Sequence, residues 1–205
     1  MNVLWDFDGT LFDTYPCYVS VFKEVLGDIL GEQVTEQEIM THFKVSFGHV
    51  INHYQIPADR VVEYTAKENA VTPEKKPPFP YIKDVLSKTN LNVIMTHKPR
   101  KEVDAILDHY QMQDLFTEIV AGDDGFPRKP DPASYRYLHE KYRIDLAVGD
   151  RAIDLIPAKK LNIKTCWFQP RDPKDQWPEV DGKPIADFSL DSYQNFFKIV
   201  HLPTK

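Results

Sequence analysis

The sequence predicts an α/β fold: a parallel sheet covered by helices on both faces, with a helical insertion after the first strand. Three observations lead to this prediction. Short apolar runs recur along the chain, segments with helical spacing separate the later runs, and a long helical stretch separates the first run from the second. Such alternation of strands and helices is typical of parallel sheets built from right-handed βαβ units.

Five short apolar runs are the predicted strands, because strands buried on both faces of a sheet lack the polar alternation of half-exposed strands. They are residues 3–5, 93–95, 119–121, 146–148 and 165–168. Helices are predicted between the later runs, over residues 103–110, after Asp131-Pro132 and over residues 153–161. The architecture is then a Rossmann-like, doubly wound sheet with the strand order 5-4-1-2-3.

The chain is predicted to form two domains. Residues 1–14 and 80–205 form the core domain, and residues 15–79 form a helical domain. Four prolines between residues 72 and 80 mark the end of the insertion. Beyond the last core strand we expect a loop, rich in Pro and Asp, over residues 169–187 and a final helix over residues 189–200.

Several helices are predicted within the insertion. Apolar residues at helical spacing form one stripe over residues 18–30. Thr35 and Glu38 have the spacing of a capping box at the start of a second helix. Further helical stretches run over residues 45–54 and 57–70.

Composition and charge exclude several classes of protein. The chain has 205 residues, with 31 acidic and 25 basic side chains and a net charge of −6. This balance gives no general attraction for phosphate backbones or anionic lipid, so we expect no nucleic-acid or membrane partner. No stretch approaches the ~20 apolar residues that span a bilayer. Cys17 and Cys166 lie outside any CxxC pattern, which favours reduced thiols and a cytoplasmic location. The sequence is compatible with a monomer and with a homodimer.

A pair of aspartates, Asp6 and Asp8, follows the first predicted strand. Residues i and i+2 at a strand end point the same way, so both carboxylates are expected in one crevice. Gly9 allows a tight turn, and Thr10 follows it. The backbone N–H groups of such a turn can face a bound anion.

Other polar residues stand close to the ends of the later strands: Thr96, Lys129, Asp150 and Asp154. In an open parallel sheet, ligands bind outside the carboxyl ends of the strands, so the fold brings these groups together. Carboxylate oxygens suit Mg²⁺, and an ammonium group with a hydroxyl suits phosphoryl oxygens. His97, next to Thr96, has no role that the sequence indicates.

These residues resemble the four motifs of the haloacid dehalogenase (HAD) superfamily of phosphatases. Four segments carry the resemblance, in chain order: the Asp-Phe-Asp-Gly-Thr stretch at 6–10, Thr96, Lys129, and Asp150 with Asp154. The resemblance covers residues 1–168. The insertion is similar to the helical C1-type cap of the phosphoglycolate phosphatase and β-phosphoglucomutase branch.

The resemblance implies a Mg²⁺-dependent phosphatase that acts through an aspartyl-phosphate on a small phosphorylated metabolite. Asp6 is then the nucleophile, and Asp8 is the general acid and base. Thr96 and Lys129, with backbone N–H groups, stabilise the oxygens of the transferring phosphoryl group.

The resemblance also implies a metal site. Mg²⁺ is held by the Asp6 carboxylate, the main-chain carbonyl of Asp8 and the carboxylate of Asp150. Asp154 supports this site by orienting a water on the metal or Lys129.

Two alternatives to hydrolysis stay open. Asp8 favours a phosphate ester over the substrates of dehalogenases and phosphonate hydrolases, which resemble this pattern but lack that acid. A phosphosugar mutase or phosphotransferase shares the motif residues, but the insertion holds one arginine, Arg60, so hydrolysis is preferred. A catalytically inactive binding protein of the same fold is the further alternative. The substrate itself is not specified by the sequence.

Residues 42–49 of the insertion lie where members of the family place a substrate-facing loop. Lys44 and His49 are candidates for contact with a distal anion of the substrate, and Phe47 for covering it; a solvated helix–helix turn is the alternative. His49 and His53, spaced i and i+4, could hold a transition metal only with a third ligand, so exposed histidines are expected.

Overall fold

The computed structural model describes residues 1–170, 179–180 and 182–201. The chain divides into two compact units. One comprises Met1–Phe12 and the described residues from Pro78 onward, and the other comprises Asp13–Pro77. The role of residues 15–79 as a cap domain stays a prediction.

The first unit is built on a six-stranded parallel sheet. The strands of the described chain are β1 (Asn2–Trp5), β2 (Leu91–Met95), β3 (Glu118–Val120), β4 (Leu146–Gly149), β5 (Lys164–Phe168), β6 (Glu179–Val180), β7 (Lys183–Pro184) and β8 (Phe188–Leu190). The sheet order is β3-β2-β1-β4-β5-β8, which confirms the predicted order of the first five strands. β6 and β7 form a short antiparallel pair inside the predicted loop 169–187, of which residues 171–178 and 181 lie outside the described residues.

Alternate residues of the strands enter two apolar cores, one on each face of the sheet. Val3 and Trp5 lie in a core shared with α5 (Ile82–Lys88), α6 (Arg100–His109) and α9 (Phe196–Ile199). Leu4 lies in the other core, with α7 (Ala133–Tyr142) and α8 (Ala152–Lys160). Because helices cover both faces, the central residues of most strands are apolar, with the buried Asn92 of β2 as an exception. The prediction of a doubly wound α/β fold is confirmed.

The prediction of one helix over residues 189–200 is wrong. The segment begins inside the strand β8, continues in a 3₁₀ turn at Tyr193–Asn195 and ends in the short helix α9. Without β8, the edge of β5 would expose unpaired N–H and C=O groups, which a sixth strand satisfies. Leu190, buried at the end of β8, accepts a hydrogen bond from Gln169 N–H at 2.7 Å.

The second unit, all of whose residues are described, packs four α-helices around its own core. They are α1 (Tyr15–Leu30), α2 (Glu36–Val45), α3 (Phe47–His53) and α4 (Ala58–Asn69). The predicted cap at Thr35 is confirmed, since its Oγ1 accepts a hydrogen bond from Glu38 N–H at 3.2 Å. A single helix over residues 45–54 is not formed, because Ser46 ends α2 and its Oγ caps α3 by accepting His49 N–H at 3.0 Å.

Candidate active site

The ends of three neighbouring strands bring the candidate site together in the first unit. Asp6 follows the last residue of β1, Thr96 follows that of β2, and Asp150 follows that of β4. In the sheet, β1 lies between β2 and β4. The backbone pairing continues into the site, since Asp6 N–H donates to the carbonyl of Val148 and Thr96 N–H to that of Val120, both at 3.0 Å. This edge of an open parallel sheet is where ligands bind.

A buried lysine bridges two of the predicted carboxylates. Lys129 Nζ donates to Asp6 Oδ1 at 2.6 Å and to Asp154 Oδ1 at 2.7 Å, and all three side chains are buried. Burial alone would lower the pKa of Lys129, but the carboxylates of Asp154 and Asp6 raise it above its usual value. The ammonium group therefore stays charged, and charge-assisted bonds of this length are strong.

The Asp6 carboxyl group is held on both of its oxygens. Besides the bond from Lys129, Asp6 Oδ2 accepts a hydrogen bond from Thr10 Oγ1 at 3.2 Å. Burial and the charge of Asp154 raise the pKa of Asp6 to about 6, although Lys129 and Arg151 act in the opposite direction. A further cation beside Asp6 would lower this pKa, because positive charge favours the carboxylate.

Three buried carboxylates form a cluster that suits a metal ion. One oxygen from each of Asp6, Asp150 and Asp154 lies within 4.8 Å of the others. Lys129 contacts two of the three, and Arg151 Nε lies 3.9 Å from Asp154 and 4.0 Å from Asp150. An all-oxygen donor set fits a hard divalent cation. These side chains could hold a metal ion, and Asp154, expected only to support the site, lies among them.

The start of α8 positions Asp154. Its Oδ2 accepts a hydrogen bond from Arg151 N–H at 3.0 Å. Gly149 approaches so closely that an added Cβ would lie 2.3 Å from the Cβ of Asp154, so only glycine fits there. Burial raises the pKa of Asp154, but the charges of Lys129 and Arg151 outweigh this and lower it, which keeps Asp154 ionised.

Asp8 faces a second buried lysine, Lys98, which the sequence analysis missed. Lys98 Nζ lies 3.5 Å from Asp8 Oδ1 and 3.2 Å from Glu102 Oε2. The predicted site residue Thr96 accepts a hydrogen bond from Lys98 N–H on its Oγ1 at 3.1 Å. A signal was present, because Lys98 stands two residues after Thr96, just as Asp8 stands two residues after Asp6.

His97 fixes the segment that carries Lys129. The backbone N–H of Lys129 donates to His97 Nε2 at 2.7 Å. Burial and the charge of Lys129 lower the pKa of His97 to about 3, so the imidazole is neutral and able to accept this bond. Gly122 packs against His97, since an added Cβ at Gly122 would lie 2.2 Å from the His97 carbonyl oxygen. Nothing in the local sequence indicated this contact.

The turn after Asp8 has the predicted glycine geometry. Gly9 has a φ of +77°, in the left-handed region that favours glycine, and its N–H donates to the carbonyl of Phe12 at 2.8 Å. Tyr193 Oη donates to the carbonyl of Thr10 at 2.9 Å. Sequence reasoning missed Tyr193 as well, because it is far from the motif along the chain.

The predicted specificity residues lie in the second unit, where α2 meets α3. Lys44 is in the last turn of α2, and Phe47, the first residue of α3, is 37% exposed. Their contact with a substrate stays a prediction, as does that of His49. The expectation that His49 and His53 lack a third ligand is wrong, because His42 lies beside both.

The fold and the site define a class of protein: a hydrolase with buried carboxylates and lysine at the carboxyl edge of a parallel sheet. The chain belongs to the haloacid dehalogenase-like hydrolase family, whose model matches residues 3–168. The resemblance found in the sequence is thereby confirmed. None of the helices in the described part of the chain is long and apolar enough to cross a membrane.

Individual relatives agree with this family. A phosphoglycolate phosphatase of Vibrio parahaemolyticus is 23% identical, over 97% of this chain and 95% of its own length. The structure of a phosphoglycolate phosphatase candidate from Haemophilus somnus covers 96% of both chains, with a TM-score of 0.73 and 21% identity. That of a β-phosphoglucomutase candidate from Thermotoga maritima covers 97% of both, with a TM-score of 0.69 and 19% identity. With the family match, the curated phosphatases confirm the expected enzyme class, a phosphoric monoester hydrolase.

Proposed function

We propose that this chain is a Mg²⁺-dependent phosphatase that hydrolyses a small phosphate monoester through an aspartyl-phosphate, in the manner of a phosphoglycolate phosphatase. The observation that carries the proposal is the buried Lys129, bonded to Asp6 and Asp154 beside the carboxylate of Asp150. Similarity to curated phosphoglycolate phosphatases over nearly the whole chain supports the choice of substrate class.

Asp6 is the proposed nucleophile. Its carboxyl group is oriented by Lys129 and Thr10, so the atom that attacks phosphorus is held in place before substrate binds. Attack forms a bond from the Asp6 carboxylate to phosphorus, and the bond from phosphorus to the ester oxygen breaks. Water then hydrolyses the aspartyl-phosphate and restores Asp6.

Asp8 is the proposed general acid and base. It gives its proton to the departing ester oxygen and later takes a proton from the attacking water, help that contributes ~10²–10⁴-fold in rate. Lys98, 3.5 Å from Asp8 Oδ1, limits the positions that this carboxyl group can take. We assign Lys98 a positioning role toward Asp8.

The remaining residues stabilise negative charge on the transferring group. Thr96 and Lys129 supply a hydroxyl and an ammonium group, whereas the N–H of Gly9 stays within its own turn, bonded to the Phe12 carbonyl. Asp6 and Asp150, with the main-chain carbonyl of Asp8, would hold Mg²⁺, while Asp154 supports the site through Lys129. When bound, Mg²⁺ would neutralise charge on the phosphoryl oxygens.

The substrate's distal end is assigned to the second unit. We propose that Lys44 and His49 meet a distal anion of a small phosphorylated metabolite and that Phe47 covers it. A cytoplasmic location, which suits the two free thiols of Cys17 and Cys166, belongs to the same proposal.

A hydrolysis assay tests this proposal. The chelator-treated protein is offered p-nitrophenyl phosphate and a panel of small phosphate monoesters that includes phosphoglycolate, with and without added Mg²⁺. We expect phosphate release only with Mg²⁺, its loss in EDTA and its return with excess Mg²⁺. Asp150→Asn should raise the Mg²⁺ concentration needed for half-maximal rate, and exposed Asp191→Asn should not.

Two outcomes of this assay would overturn the proposed function. A folded protein with Mg²⁺ that releases phosphate from no compound would favour the inactive binding protein. Transfer of the phosphoryl group to a sugar hydroxyl in place of water would favour the phosphosugar mutase or phosphotransferase.

A further inference from the structure

Three histidines lie together in the second unit, away from the carboxylate cluster in sequence and in chemistry. One ring nitrogen from each of His42, His49 and His53 lies within 4.8 Å of the others. His42 Nδ1 and His49 Nε2 are 3.1 Å apart, and the rings of His42 and His53 stack with centroids 3.7 Å apart. The proposed hydrolysis makes no use of His42 or His53.

The local fold explains why the three rings meet. His49 and His53 are spaced i and i+4 on α3, so they share one face of that helix. His42 is in the last turn of α2, and the single residue Ser46 ends α2 and caps α3. This short junction turns the end of α2 toward the face of α3 that carries the other two histidines.

Tyr54 forms one wall of the cluster. Its ring meets those of His42 and His53 edge to face, with centroids 5.5 Å and 4.7 Å apart. His42 and His49 are half-buried, whereas His53 is exposed. Two rings stacked face to face cannot both point a nitrogen at one ion, so binding requires the exposed His53 ring to turn out of its stack with His42. The cluster is therefore held on one side and open to ions on the other.

The spacing of the nitrogens suits a four-coordinate metal. Zinc–nitrogen bonds of ~2.0–2.1 Å in a tetrahedral site place two nitrogens about 3.3 Å apart, close to the observed 3.1 Å between His42 and His49. Glu38, whose charge acts on His42, offsets part of the charge of a dication.

We propose that His42, His49 and His53 bind one zinc ion, with a water molecule as the fourth ligand. Imidazole nitrogens prefer zinc and its transition-metal neighbours to Mg²⁺, so this site and the carboxylate cluster differ in selectivity. A bound ion ties the last turn of α2 to α3 and stabilises the second unit, because ligands that bind only the folded state shift unfolding. It also fixes the segment that contains Lys44 and Phe47.

The test uses the tag-free full chain after removal of metals with a chelator. The protein is dialysed against zinc in a large excess of Mg²⁺, bound zinc is counted by mass spectrometry, and X-ray absorption at the zinc edge counts the imidazole ligands. Variants His42→Gln and Asp150→Asn are compared, and the exposed His109→Gln on α6 is the matched control. Each variant's unfolding transition shows that it is folded.

We expect one zinc ion with three imidazole ligands in the wild type, in Asp150→Asn and in His109→Gln. His42→Gln should weaken zinc binding by more than ~100-fold, since even partners outside the ligand shell are worth 10–100-fold. Zinc should raise the unfolding temperature of the wild type and leave that of His42→Gln unchanged. Oxygen-only ligation in the wild type, loss of zinc in Asp150→Asn, or equal binding by His42→Gln would overturn the proposal. Because the readouts are binding and ligation, failure of the phosphatase assay leaves this test intact.

Discussion

The backbone N–H of Lys129 donates a 2.7 Å hydrogen bond to Nε2 of His97, so an imidazole beyond the end of β2 fixes the segment that carries the buried ammonium group. The bond requires an unprotonated Nε2, and burial with the charge of Lys129 lowers the pKa of His97 to about 3. His97 is thereby a positioning residue for Lys129.

Replacing His97 by Phe keeps a ring in this place and removes the acceptor. The Lys129 N–H then loses its partner, which costs ~1–3 kcal/mol of unfolding free energy for a buried donor. We expect kcat to fall by roughly tenfold, the equivalent of ~1.4 kcal/mol, because Lys129 is less well placed. Urea unfolding and steady-state kinetics measure both, with exposed His109→Phe as control. Wild-type values in His97→Phe would contradict the role.

The same variant gives a pH-dependent prediction. The folded-state pKa of His97 lies below its ordinary value of 6.5, so the unfolded chain takes up this proton first as pH falls. The contribution of neutral His97 to the unfolding free energy is complete above pH 6.5 and is lost progressively as the pH falls toward 3. The difference in unfolding free energy between wild type and His97→Phe should therefore shrink between pH 7 and pH 4. A constant difference would contradict the low pKa.

The bridge from Lys129 to Asp154 predicts a strong energetic coupling. Lys129→Met leaves buried carboxylates without their cation and should cost ~3–5 kcal/mol of unfolding free energy. Adding Asp154→Asn removes one of those charges. The double variant should therefore lose ~0.5–3 kcal/mol less unfolding free energy than the two single variants lose together. Denaturant unfolding of the four proteins measures this. Additive losses, as expected for Lys129→Met with the exposed Asp191→Asn, would argue against the bridge.

Features set by neighbours along the chain could be predicted from the sequence. The apolar runs of β1 to β5 and the cap at Thr35 depend on local patterns, and the side chains that follow strand ends meet once the sheet is parallel. This placed Asp6, Lys129 and Asp154 in one site. The family motifs added the roles of these residues.

Features set by distant packing could not be predicted. His97 meets Lys129 across 32 residues, and Tyr193 meets Thr10 across 183. The strand β8 forms because it covers the edge of β5, although its sequence also suits the start of a helix. His42 joins His49 only because Ser46 breaks what otherwise looks like a continuous helix.

Lys44 provides a test of the assignment of substrate binding to the second unit. If Lys44 contacts a distal anion equally in the ground state and the transition state, Lys44→Ala raises KM and leaves kcat unchanged. The effect should disappear for p-nitrophenyl phosphate, which has no distal anion. Lys23→Ala, on α1 of the same unit, is the control. Unchanged KM for every anionic substrate would remove Lys44 from the binding site.

The most direct test of the central claim is to detect the phosphoryl group on Asp6. The wild-type protein with Mg²⁺ and substrate is quenched in acid during turnover, and its peptides are examined by mass spectrometry. We predict a phosphoryl group on Asp6 in the wild type. In Asp6→Asn we predict no phosphopeptide and no turnover, with an unfolding transition that shows the variant is folded. Turnover at the wild-type rate in folded Asp6→Asn, or a phosphoryl group on a different residue, would contradict the account.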